Sequence, residues 1–70
     1  MTHKVAARFE IFKDDAGGFH WRLVAATGET VAQSDRYLLK ASAITSARAV
    51  QTAAADAAFQ DLTEAAGYDA

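Results

Sequence analysis

At 70 residues with no cysteine, the chain has room for one small domain and excludes disulfides and thiolate metal sites. Alanine supplies 18 of its 36 hydrophobic residues, and with no proline and 23% charged residues the composition excludes a disordered chain. A net charge of −2 argues against a general phosphate-binding surface. An alanine-rich core buries little area, and a domain this small needs a staple. With no disulfide and two histidines, association with a second chain is what remains. The apolar runs are too short to span a membrane, and Met1-Thr2-His3-Lys4-Val5 lacks the apolar stretch of a secretory signal, so the sequence predicts a cytoplasmic protein. Charge is uneven along the chain. Residues 1–50 hold all seven Lys and Arg, whereas residues 51–70 hold Asp56, Asp61, Glu64 and Asp69 and no base. Such a tail is solvated by default; in a self-associating chain it can meet a basic body.

His3 falls in a terminus expected to fray. Residues 5–13 alternate, with Val5, Ala7, Phe9 and Ile11 on one side and Arg8, Glu10 and Phe12 on the other. Period two is the signature of a half-buried strand. Asp14-Asp15-Ala16-Gly17-Gly18 is a dense turn signal, and residues 19–25 alternate again: Phe19, Trp21, Leu23 and Ala25 against His20, Arg22 and Val24. A five-residue loop with Lys13 opposite Phe19 sets Ile11 against Trp21, Phe9 against Leu23, Glu10 against Arg22 and Phe12 against His20. Every pair is chemically compatible, and a slip by one residue would put Arg22 in the core.

Ala26-Thr27-Gly28-Glu29 predicts a three-residue turn with Gly28 left-handed, because a two-residue turn would force the β-branched Thr27 to positive φ. That turn sets Val31 opposite Leu23, in a short third strand of about Thr30 to Ser34. Ser34 to Leu39 is a connection. The period then changes. At 100° per residue, Leu39, Ala43, Ala47, Val50 and Ala54 fall within about 80° of one another, with Ala41, Thr45, Arg48 and Thr52 on the far side. This predicts an amphipathic helix over about 40–54. No Gly or Pro stops it before Gly67, yet Phe59 would sit about 180° from Val50 on a continued helix. Residues 58–63 read equally as helix or as a strand of modest propensity.

The ordered set Phe9-Glu10-Ile11-Phe12-Lys13-Asp14, Trp21-Arg22-Leu23, Ala26-Thr27-Gly28-Glu29, Ala32, Tyr37, Lys40-Ala41-Ser42-Ala43 and Asp61-Leu62-Thr63 resembles the YegP-like proteins, small bacterial and archaeal units found singly or in tandem. The resemblance covers about residues 5–63. It implies an α+β fold: three antiparallel strands, one helix packed on one face and a short C-terminal strand. Two units share one sheet and exchange their final strands. One unit spans 1–66 with a disordered tail at 67–70, the chain is a homodimer, and Phe59, Asp61 and Leu62 become candidate dimer contacts. The family's serines before the helix lysine are Leu38-Leu39 here, which removes an N-cap. Its mid-helix Gly-hydrophobic pair is Ser46-Ala47, and its proline at the helix end is Ala55, which lets the helix run a turn longer. No activity comes with the resemblance.

Trp21 reads as core. Arg8, Phe12, His20 and Arg22 share the outer sheet face as a candidate surface contact, able in principle to stack bases and touch phosphates. Glu10 should neutralise Arg22 there, and the bland alternative is a solvated face with cross-strand ion pairs. Asp14-Asp15 lacks the oxygen ligands of a cation loop, and Gly17-Gly18 lacks the lysine and following helix of a phosphate loop. Ser34, Ser42 and Ser46 have no ordered base near them in sequence. The sequence therefore predicts no catalytic residue, no cofactor, no metal and no membrane contact. It predicts a non-catalytic homodimeric interaction module, with weak nucleic-acid binding through Arg8, His20 and Arg22 as the alternative.

Overall fold

In a computed structural model that describes residues 6–63, three strands form one antiparallel sheet in the order β1 (Arg8–Lys13), β2 (Phe19–Val24) and β3 (Thr30–Gln33), followed by one helix, α1 (Lys40–Asp56). The expectations for His3 and for the 67–70 tail lie outside the described residues. The β1–β2 register is the expected one, from Arg8 opposite Val24 to Lys13 opposite Phe19, with Ile11 facing Trp21 and Glu10 facing Arg22. The second turn is also as expected. Ala25 and Glu29 close a three-residue loop, and Gly28 takes φ +98°, a region that costs residues with a Cβ.

Val31 is the first correction. The turn fixes Val24 opposite Thr30, but the register then shifts by one, so that Leu23 faces Ala32 and Arg22 faces Gln33. Val31 is the extra residue of the bulge and is 55% exposed, not part of the inner face. Without the shift, Gln33 would stand opposite Trp21 on the apolar side; with it, Gln33 joins Arg22 on the polar side. Ser34 then faces Trp21, its N–H donating to the Trp21 carbonyl and its Oγ accepting from the Trp21 N–H. Tyr37 extends this edge through paired backbone bonds with Phe19, so part of the expected connection is held to the sheet.

The helix packs chiefly on β2 and less on β1. Trp21, Val24, Ala43 and Ala47 are the buried apolar residues among those described, with Phe9, Ile11, Leu23, Ile44 and Val50 half-covered. Trp21 is the centre. Its ring meets Phe9 edge-on at 5.6 Å, and its Nε1 donates to Ser46 Oγ at 2.9 Å, while Tyr37 OH donates to the same Oγ at 2.8 Å. Three expected core positions change. Val24, assigned to the outer face, is buried; Leu39 and Ala54, assigned to the buried stripe, are exposed. Leu39 is the N-cap in extended conformation, off the helical wheel, and Ala54 lies in the stretch from Gln51 to Asp56, all of it exposed.

The Leu39 cap makes no side-chain hydrogen bond, and the first turn carries no acid. Leu39→Ser should supply an acceptor for the free N–H groups there and raise stability by about 1 kcal/mol, read as a shift in the urea midpoint at unchanged slope. After Asp56 the chain leaves the helix at Ala57. Residues 57–62 are neither helix nor strand and all are exposed. The expected C-terminal strand is therefore not an element of the single chain. Among the described residues β1 and β3 each keep an open edge, and residues 57–62 pair with neither.

Candidate interaction groove and outer sheet face

The outer face brings Arg8, Phe12, His20 and Arg22 together as the strand alternation predicts. It does so as a set of mutually satisfied groups. Glu10 accepts from Arg8 Nε at 2.7 Å and from Arg22 Nε at 2.8 Å, and the Arg22 guanidinium lies 4.6 Å from the Phe12 ring centre. His20 stacks on Phe12 at 5.1 Å. The guanidinium of Arg22, and then that of Arg8, hold the Glu10 carboxyl below its ordinary value. Phe12 thus already has a stacking partner and a cation over its ring, which leaves less of it for a nucleobase.

Asp14 is a site that sequence reasoning passed over as a simple turn residue. Its Oδ1 accepts from the N–H groups of Ala16 and Gly18, and its Oδ2 from His20 Nε2 at 2.7 Å, with Arg36 Nε 3.5 Å away. Arg36 reaches this point by crossing Gly18, where a Cβ would collide with its side chain. The carboxylate thereby ties the first loop to β2 and to the segment before α1. The sequence signal was present: Asp followed by Gly four residues on is the donor-rich loop in which Asx side chains cap backbone N–H groups.

These donors, His20 first and the Gly18 amide next, pull the Asp14 carboxyl down from 3.8 to about 2. A depressed carboxyl stabilises the fold fully above its unfolded value and loses that contribution as pH falls through the folded one. Stability should therefore decline as pH drops from about 4 towards 2, and Asp14→Asn should flatten that part of the profile, measured by urea titration at each pH.

The second feature lies on the helix side. Because α1 sits over β2, it leaves the inner face of β1 partly open, and a partly apolar groove of about 490 Å³ runs between β1 and the helix. Phe9, Ile11 and Leu23 line it from the sheet, and Ile44 and Ala47 from the helix. Arg48 and Gln51 continue the helical lining, so that 44, 47, 48 and 51 form one i, i+3, i+4, i+7 face. The alanine stripe hid Ile44's part in this face from the sequence reading; Arg48, placed on the far side of the helix, is exposed and also lines the groove. Arg8 also lines the groove, and it comes from β1, whose outer edge has no strand beside it among the described residues.

The candidate dimer contacts lie elsewhere in the chain. Phe59 is 95% exposed and Leu62 83%. Asp61 Oδ1 accepts from the Thr63 hydroxyl at 2.5 Å and the Thr63 N–H at 3.0 Å, and these bonds, the hydroxyl first, lower its carboxyl below the ordinary value. Among the described residues, no group of three or more His, Asp or Glu is placed to hold a metal, and no helix is long and apolar enough to cross a membrane.

Comparison with known proteins agrees with this architecture. Residues 14–61 match the model of a domain of unknown function, DUF1508. The chain is 41% identical over 56 residues to the UPF0339 protein Atu0232 of Agrobacterium fabrum, covering 80% of this chain and 90% of that one. It is 39% identical over 58 residues to a UPF0339 protein of Treponema denticola, covering 83% of this chain and all of the relative. The solution structure of a protein from Haloferax volcanii superposes with a TM-score of 0.67 at 33% identity, covering 80% of this chain and 95% of that one. On these matches, with the strand register and single helix that accompany them, the chain belongs to the DUF1508 family, the small group of unknown function that its YegP-like motifs resemble.

Proposed function

We propose that the chain is a non-catalytic interaction module that works as a homodimer, each copy laying its C-terminal segment along β1 of the other. The observation that carries this reading is a mismatch of halves within one chain. The groove beside β1 is partly apolar and no described residue fills it, while Phe59, on a segment that pairs with no described strand, is almost wholly in water. A large aromatic side chain contributes about 1.5–3 kcal/mol when buried, and the unpaired edge of β1 offers backbone groups to an incoming strand. Exchange between two copies would fill both grooves and extend both sheets. It would also supply the staple that a core of Trp21, Val24 and two alanines lacks.

Sedimentation equilibrium tests this directly. The reading expects twice the chain mass of 7.4 kDa at micromolar concentration, and a folded monomer there would defeat it. Nucleic-acid contact through Arg8, His20 and Arg22 is the second reading. Two guanidiniums against the single carboxylate of Glu10 favour it, and its test is a mobility shift with single-stranded RNA at low salt.

A further inference from the structure

We propose that Arg48 pairs with Asp61 of a second copy, and that this ion pair sets the face and register of the exchanged segment. The inference rests on the groove reading above and goes beyond it by assigning the polar contact. Arg48 lines the groove and has no ion pair among the described residues, whereas the groove's other cation, Arg8, is engaged by Glu10. Asp61 is the acid within the segment. Thr63 occupies its Oδ1, and Oδ2 has no hydrogen-bond partner among the described residues.

Strand alternation supplies the geometry. In an extended segment Phe59 and Asp61 project to the same face, about 7 Å apart, while Gln60 and Leu62 project to the other. A segment added to β1 with Phe59 in the apolar groove therefore presents Asp61 on the helix side of the sheet. That is the side on which α1 carries Arg48, one residue beyond the groove-lining Ala47. A slip by one residue would turn Phe59 and Asp61 together to the outer face, away from both the apolar lining and this cation. The uneven charge of the chain, basic in its first fifty residues and acidic in its last twenty, agrees with such a meeting.

Charge reversal between two variants is the test, read by native mass spectrometry and sedimentation, with the near-ultraviolet signal of Trp21 as the check on folding. Arg48→Glu alone and Asp61→Arg alone place like charges in both grooves of a homodimer, and each should weaken self-association about ten-fold or more. Mixed together, they restore an opposite pair in both grooves, so heterodimers should exceed the random one-half share and bind as tightly as the wild type. Arg48→Gln and Asp61→Asn, which only remove charge, form the companion pair and should each weaken the dimer; mixing them rebuilds the opposite pair in one groove of the heterodimer and not in the other, so their rescue should be partial where that of the charge-reversed pair is full. Variants that dimerise like the wild type and mix at random would overturn the pairing and leave the groove reading standing. So would weakened variants that mixing does not restore. A monomeric wild type would overturn the groove reading and the pairing with it.

Discussion

Replacing Trp21 with alanine is expected to cost about 3–5 kcal/mol and leave the chain largely unfolded at room temperature, because a single domain of this size holds about that much stability in all. Trp21 is 8% exposed, meets Phe9 edge-on and donates its indole N–H to Ser46, so truncation removes the largest buried side chain and takes from the Ser46 hydroxyl one of its two donors, leaving Tyr37 OH as the other. Loss of the helical and strand signal in far-ultraviolet circular dichroism, with no cooperative urea transition, is the expected result. Trp21→Phe keeps most of the volume but drops the N–H and part of the second ring, so it should cost less, in the range of one hydrogen bond and a partial cavity. A Trp21→Ala chain with the wild-type midpoint would mean that the apolar sheet face is not what holds the helix.

Phe59→Ala is expected to leave the monomer almost untouched and to remove the dimer. At 95% exposure the side chain contributes nothing to its own chain's core, so monomer stability should change by less than about 0.5 kcal/mol. An aromatic anchor in an interface is worth about 2 kcal/mol on truncation, and a symmetric exchange contains two of them. About 4 kcal/mol corresponds to a roughly thousand-fold rise in the dimer dissociation constant. Dilution-dependent sedimentation separates the outcomes: a wild-type chain that dissociates only at high dilution beside a Phe59→Ala chain that is monomeric throughout. Equal dissociation constants for the two would show that Phe59 stays in water in the assembly as well.

How far the sequence carried depended on how local the determining physics was. The β1–β2 hairpin was legible to the last residue pair, because Glu10 with Arg22, Phe12 with His20 and Ile11 with Trp21 each penalise a slip, and the loop of Asp14 to Gly18 admits one register. The third strand was legible in place but not in register. The bulge at Val31 is a backbone event, and its cause lies in Gln33 avoiding the apolar face and in Ser34 answering the Trp21 backbone, which no propensity records. Periodicity found the helix and its buried alanines Ala43 and Ala47. It missed the second stripe through Ile44 and Arg48, since a wheel drawn on alanine does not say which side faces an open strand. Ser46 was missed for the opposite reason. A tryptophan expected in the core needs an acceptor for its N–H, and the polar residue nearest the buried stripe of the helix was the place to look. The C-terminal segment was ambiguous between helix and strand because neither its composition nor its own chain decides it; its structure depends on what lies beside it.

The most direct measurement of the central claim is an isotope-filtered nuclear Overhauser experiment on an equal mixture of labelled and unlabelled chains. The account predicts contacts between copies from the Phe59 ring to the methyl groups of Ile11, Leu23 and Ile44, the apolar lining of the groove. Cross-chain contacts absent from Phe59, or Phe59 contacts to these methyls found only within one chain, would contradict it.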